Sequence, residues 1–195
     1  MKRAFDVTAS LIGVAILLPL FVVVAVLIFF GDGWPVLFKQ TRVGLNGAPF
    51  KVLKFRTMYK DAERAGQLTV SGRDPRITPS GYLLRKYKLD ELPQLFNVIK
   101  GDMSLVGPRP EVPAYVELYT NDQKRVLSVK PGITDAASLE FINENELLAD
   151  AADPQKYYKE VILPRKLGLQ LNYVDQRSFM GDLSIIVKTV VGIIR

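Results

Sequence analysis

The longest signal in the chain is apolar. From Val7 to Phe30 it reads VTASLIGVAILLPLFVVVAVLIFF, 24 residues without a charge, enough to cross a hydrocarbon core of about 30 Å. A cleaved leader fits poorly, because the run is too long and no small-x-small site follows it. Pro19 lies at its middle, removes one backbone donor and clashes with the carbonyl of Ala15, so the pattern predicts a kink or break there. Val7 to Leu18 would then be about 18 Å long and Leu20 to Phe30 about 16 Å, neither half spanning alone. Lys2 and Arg3 precede the run, and Lys39 and Arg42 follow it. The positive-inside rule pulls both flanks to the cytoplasmic side, which a re-entrant helix bent at Pro19 satisfies; a straight crossing with a tolerated proline is the alternative.

Past Trp34-Pro35, the run VLFKQTRVGLNGAPFKVLKFRTM alternates apolar and basic residues around Asn46-Gly47, which predicts a β-hairpin. AERAGQLTVSGRDPRITPSG reads as a loop. Pro79 to about Tyr87 reads as a helix capped by Thr78, and a second helix from about Glu91 to Ile99 has Gly101 close after it. SLVGPRPEVP reads as irregular, Glu111 to about Val129 as a helix, and KPGITDAASL as a turn-bearing connector. Asp153-Pro154 opens a helix that should stop before Pro164. The last stretch, DLSIIVKTVVGIIR, sets Leu183, Ile186, Val187, Val190, Val191 and Ile194 on one helical face, suited to core packing or to lying on a membrane. The fold class is thus α+β, mostly helical with a small hairpin, with a re-entrant membrane segment over 1–33, a catalytic unit over 34–195 and interfacial amphipathic helices.

Composition narrows the chemistry. In 195 residues there are 26 Lys and Arg against 20 Asp and Glu, a net charge of +6, which suits nucleic acid, phosphorylated substrates or an anionic membrane surface alike. There is no His and no Cys. Disulfides, thiolate and imidazole metal sites, and Ser-His-Asp machinery are therefore excluded, and attack or proton transfer falls to carboxylates, Lys, Tyr, Ser, Thr or metal-bound water.

That directs attention to KYKLDELPQ, where Asp90 and Glu91 are adjacent. The same residues make a good helix start, with Asp90 as N-cap and Glu91 in the first turn. A helix N-terminus keeps a carboxylate ionised and attracts phosphate, and two adjacent anions beside phosphate call for a divalent cation such as Mg²⁺. Lys54 and Arg56 project from one face of a strand by the two-residue period, and Arg85 lies five residues before Asp90. Arg109 stands between Pro108 and Pro110, which set its direction, and Arg matches phosphate bidentately. A solvated basic face competes for Arg56 and Arg85, and a structural salt bridge for Arg109.

KFRTM, DPRIT, LRKYKLDELPQLFNVIKGDMSLVGPRP and KPGIT, in this order behind an apolar segment, resemble the bacterial sugar transferases, specifically the small monotopic polyprenol-phosphate phosphoglycosyl transferases. The resemblance covers nearly the whole chain. It implies transfer of a phospho-sugar from a UDP-sugar to polyprenol (undecaprenyl) phosphate with release of UMP, by a ping-pong route at the cytoplasmic face of the bacterial inner membrane. It implies Asp90 as nucleophile, Glu91 as its partner, Mg²⁺ as cofactor held by both, and functional basic residues at Arg56, Arg85 and Arg109. It also implies a re-entrant first helix, although the family usually breaks that helix at Ser-Pro where this chain has Leu18-Pro19. DAASLEF departs likewise from the Gly-Trp-Ala-Gln that many members carry after PGIT. The resemblance leaves room for a homodimer. A non-catalytic basic membrane-surface or lipid-binding protein is the rival reading; a nucleic-acid module is disfavoured by the apolar 24-mer.

Overall fold

The computed structural model describes residues 1–62, 69 and 74–194, so much of the loop expected between residues 62 and 81 lies outside the described residues. The first element, α1 (Lys2–Asp32), is one helix of 31 residues with Pro19 inside it. The expected pair of separate half-helices is thus replaced by a single continuous helical element. Ser10 and Asp6 are buried in α1, as are Val24 and Ile28, while Leu11, Ile12, Ile16, Val22, Val23 and Phe30 are exposed. A helix that buries Asp6 and Ser10 while exposing many of its apolar residues is inverted along that face relative to a water-soluble helix.

Both ends of α1 are fastened to the rest of the chain. At its start Lys2 donates to the Val106 carbonyl (3.1 Å) and to Asp182 (2.6 Å). Arg3 donates to the carbonyls of Val98 and Ile99, and Asp6 accepts from Ser104 (2.7 Å). At its end Asp32 accepts from Thr78 and Ser80, and Arg56 donates to the carbonyls of Asp32 and Gly33.

The hairpin forms as the Asn46-Gly47 signal requires. Strands β1 (Leu37–Val43) and β2 (Pro49–Phe55) pair antiparallel, with Gln40 opposite Val52. Asn46 (φ 55°) and Gly47 (φ 79°) supply the left-handed turn. Phe55 packs with Val24 and Ile28 of α1 and with Leu84 of α2 (Pro79–Lys86), with Leu89 laid against the same cluster. Thr78 caps α2 by accepting from the Gly81 N–H, as expected.

The next segment departs from expectation. Leu89–Glu91 is a 3₁₀ turn entered through Lys88 at φ 55°, and α3 (Gln94–Lys100) begins after Pro93. Asp90 is therefore not the N-cap of a helix, and that assignment is corrected. Gly101, at φ 106°, closes α3 in the left-handed conformation that glycine tolerates.

The motifs read as irregular or as a connector contain a second, parallel pair. β3 (Ser104–Val106) pairs with β4 (Gly132–Thr134), Ser104 facing Gly132 and Val106 facing Thr134. Gly107 and Gly132 meet backbone to backbone, and a Cβ on Gly132 would collide with the Gly107 main chain. Three-residue strands leave no alternation to read, and their partners are far apart in sequence. The helix expected over Glu111 to Val129 is only α4 (Pro113–Val116) and a 3₁₀ stretch, Gln123–Ser128. Thr120 and Gln123 exchange side-chain and backbone hydrogen bonds (2.9 and 3.2 Å), a local turn that competes with helix.

Short helices α5 (Ala136–Glu140) and α6 (Glu144–Ala149) lead to α7 (Pro154–Tyr157), which continues through a π-helical stretch, Tyr158–Ile162, into α8 (Leu163–Gln176). The chain does not stop before Pro164. The widened π turn immediately ahead absorbs the missing proline donor. Tyr119, Val126, Phe141, Leu148, Tyr158, Ile162, Leu163 and Leu167 form the core here. The last helix, α9 (Phe179–Ile194), turns Asp182 inward and joins Thr189 to Thr134 (2.7 Å), leaving Met180, Val187, Val190 and Val191 exposed.

Candidate active site

Leu89 anchors the 3₁₀ turn in the core, and Asp90 and Glu91 follow it directly. Asp90 is only 7 % exposed, yet no described residue donates a hydrogen bond to its carboxylate. Burial raises its pKa, the adjacent Glu91 charge raises it further, and Lys54, Arg85 and Lys88 pull the other way. The helix N-terminus expected to lower the Asp90 pKa is not formed here, and the shift is upward, since the turn has too little aligned backbone ahead of it to offset burial.

Glu91 has the opposite environment. Its carboxylate accepts from Lys54 (2.8 Å) and from the Arg109 guanidinium, both on Oε1. Burial alone would raise its pKa, but Arg109 and Lys54 together hold it well below the usual carboxylate range. Lys54 is lowered, chiefly by burial and against the pull of Glu91. Arg109 is raised, Glu91 being the main cause.

Arg109 is fixed at three points. Its second guanidinium nitrogen donates to the Ile133 carbonyl (3.1 Å), and its backbone N–H donates to Asp135 (3.0 Å). Asp135 is 1 % exposed and also accepts from Ser138 N–H and from the Gln170 side chain. The parallel β3–β4 pair thus carries Arg109 to Glu91 across 18 residues of sequence.

Arg85 donates to Thr57 (2.9 Å) and Thr69 (3.2 Å), and its charge acts on Asp90. Arg56 is separated from this group. Although Lys54 and Arg56 stand two residues apart, β2 ends at Phe55, and Arg56 turns to the carbonyl end of α1 with its Nε and Nη1 buried and without a partner among the described residues. Sequence reasoning passed over three supports. Asn97 is buried and bridges α3 to β2, accepting from Leu53 N–H and donating to the Lys51 carbonyl. Asp135 holds Arg109, and the Tyr173 hydroxyl donates to Asp182 (2.8 Å) with the Val106 carbonyl also in reach at 3.2 Å, close to the GPRP turn. A cap signal at Asp135 was legible; the long-range partners were not.

Among the described residues no group of three or more His, Cys, Asp or Glu side chains converges on a point. The pair Asp90 and Glu91 still fits a hard cation of the Mg²⁺ kind, which takes one or two carboxylates and completes its shell with water and substrate phosphates. The unpartnered, buried carboxylate of Asp90 is the observation behind that fit.

The family model described as bacterial sugar transferase matches residues 1–195. The chain is 41 % identical over 192 residues to the sugar transferase EpsL of Bacillus subtilis, covering 97 % of this chain and 85 % of that one. It is 35 % identical over 204 residues to the exopolysaccharide production protein ExoY of Rhizobium meliloti, covering 97 % and 83 %. It is 33 % identical over 192 residues to the UDP-glucose:undecaprenyl-phosphate glucose-1-phosphate transferase of Caulobacter vibrioides, covering 97 % and 68 %. With a continuous match from end to end, the chain belongs to the bacterial sugar transferase family.

Proposed function

We propose that the protein transfers a sugar 1-phosphate from a UDP-sugar to polyprenol phosphate, in two displacements through Asp90. A carboxylate oxygen of Asp90 attacks the sugar-bearing phosphorus, and the bond to the bridging oxygen breaks, so that UMP leaves with the electron pair. A phosphate oxygen of the polyprenol phosphate then attacks the same phosphorus and expels the Asp90 carboxylate, giving the diphosphate-linked lipid sugar. Both nucleophiles are anions, so neither step needs a general base, in keeping with a chain that has no His.

The observation that carries this reading is the contrast within the carboxylate pair: Asp90 is buried without a donor, while Glu91 is held by Lys54 and Arg109. A nucleophile needs a free oxygen lone pair, and Asp90 has one. Arg109 would meet charge on the transferring group, with Lys54 and Arg85 orienting phosphates. Arg56 would act by holding the end of α1 beside the site. Asp90 and Glu91 would hold Mg²⁺, which when bound neutralises phosphate charge.

The same proposal seats residues 1–33 in the cytoplasmic leaflet of the inner membrane and the unit over 34–195 on its cytoplasmic side. A 31-residue helix is about 46 Å long if straight, yet both its ends bond to the polar unit, which cannot enter hydrocarbon. A bend at Pro19 that returns α1 to the same leaflet satisfies both attachments, and the exposed apolar face of α9 would lie on that leaflet. A lipid acceptor accounts for this seating.

The protein in nanodiscs, incubated with a UDP-sugar carrying a labelled sugar and no acceptor, should acquire phospho-sugar at Asp90 and release one UMP per chain. Normal labelling of Asp90→Asn would overturn the assignment.

A further inference from the structure

Pro108 and Pro110 have no backbone N–H, so Arg109 carries the one main-chain donor in that turn. The parallel ladder places its neighbours: the Gly107 N–H donates to the Thr134 carbonyl and the Gly132 N–H to the Pro108 carbonyl, both at 3.1 Å. β4 ends at Thr134, and the Arg109 N–H is met by a side chain instead, the carboxylate of Asp135 (3.0 Å). That carboxylate is 1 % exposed and joins three parts of the fold. Its Oδ1 accepts from the Ser138 N–H as the cap of α5 (2.6 Å), and its Oδ2 accepts from Arg109 and from Gln170 Nε2 of α8 (2.7 Å). Gln170 is 4 % exposed, and Leu163 and Leu167 of the same helix lie in the core, so α8 gives Asp135 a fixed mount.

We infer that Asp135 and Gln170 are positioning residues for Arg109, setting its main chain from α8. The inference rests on the transfer reading above, in which the Arg109 guanidinium meets charge on the transferring group. The guanidinium end is held by Glu91 and by the Ile133 carbonyl (3.1 Å), and Asp135 holds the other end. A donor aimed at a reacting phosphoryl group must be right at both ends, since a misplacement of about 1 Å can cost roughly 100-fold in rate. Asp135 also opens DAASLEF, where the chain departs from the pattern common in the family. The same carboxylate caps α5, and its two oxygens allow the two roles to be separated, because Asn has one acceptor oxygen where Asp has two. In Asp135→Asn, Gln170 still offers a donor at the Oδ2 position and draws the amide oxygen there, so Arg109 keeps its acceptor and the cap is lost. In Asp135→Asn with Gln170→Glu, the carboxylate at 170 draws the amide NH₂ to that position, so the cap returns and the Arg109 N–H faces a donor.

The test is UMP release by the full chain in nanodiscs with a polyprenol phosphate acceptor, across UDP-glucose, UDP-galactose, UDP-N-acetylglucosamine and UDP-N-acetylgalactosamine, with the thermal midpoint read alongside. Asp135→Asn should lower the midpoint and keep kcat within roughly 3-fold of the parent, whereas the double variant should recover the midpoint and lower kcat roughly 10-fold or more. In an Arg109→Lys background the double substitution should change kcat by less than about 2-fold, because its effect passes through the guanidinium. Gln170→Met leaves the Asp135 bonds to Arg109 and Ser138 and removes only the tie to α8, so it decides the matter should Asp135→Asn not fold. It should lower kcat roughly 3-fold or more in the parent and leave the Arg109→Lys protein unchanged. A kcat that follows the thermal midpoint across these variants, or an equal loss in both backgrounds, overturns the positioning assignment alone. No turnover of any donor by the parent protein overturns the transfer reading and this assignment with it.

Discussion

The Arg109 guanidinium is bound to the Glu91 carboxylate, and that pairing leaves the neighbouring Asp90 alone in a buried position. Adjacent acids would ordinarily share whatever cations are near. Here the 3₁₀ turn sends them different ways, one onto Lys54 and Arg109 and the other to a place where no described residue donates to it, so two neighbours in sequence differ in environment.

Asp90→Asn should abolish transfer and stabilise the protein. Burial and Glu91 raise the folded-state pKa of Asp90, so the cost to stability is full above that pKa, shrinks as pH falls through it and is gone below the ordinary aspartate value. The gain in thermal midpoint should therefore be largest near neutral pH and shrink toward acid pH, as read by unfolding in nanodiscs across a pH series. A constant or negative difference would contradict the environment described.

Glu91→Gln should do the reverse. It strips the counter-charge from Lys54 and Arg109 together, costing about 1–3 kcal/mol. The folded pKa of Glu91 is depressed, so its contribution is present above the ordinary glutamate value and lost as pH falls through the depressed one. The variant and the parent should converge in stability at strongly acid pH.

Arg109→Lys keeps the charge but cannot reach Glu91 and the Ile133 carbonyl at once. Loss of one oriented donor at a transferring group is expected to lower kcat/KM for the donor roughly 100-fold or more. Folding should be intact by thermal midpoint, which separates this from general disruption. A loss carried entirely by a higher KM would show that Arg109 binds the ground state and the transition state alike.

Lys2 and Asp182 join the first helix to the last across nearly the whole chain (2.6 Å). Lys2 is 39 % exposed and Asp182 5 %, so water screens part of the pair and about 1–2 kcal/mol of coupling is expected. A double-mutant cycle with Lys2→Met and Asp182→Asn measures it; additive losses would mean that the contact does not hold α1.

Topology is checked by cysteines, of which the chain has none. One placed ahead of Lys2 and one at the exposed Lys86 should react with an impermeant reagent from the same side of sealed vesicles. Reaction from opposite sides would establish a straight crossing instead.

Much of this protein is local and was legible in its residues. The uncharged run from Val7 to Phe30, the Asn46-Gly47 turn, the Thr78-Pro79 helix start and the Gly101 stop each depend on neighbours within a few positions. The pairing of β3 with β4, the passage of the chain through Pro164 and the short turn at Asp90 depend on what lies opposite them. Sequence by itself determined that attack and proton transfer must fall to carboxylates, Lys, Tyr, Ser, Thr or metal-bound water, because it contains no His and no Cys, and that these groups follow a long apolar segment. Only the tertiary structure decided which carboxylate is free, because burial and the approach of Lys54 and Arg109 are long-range facts that split two chemically similar neighbours.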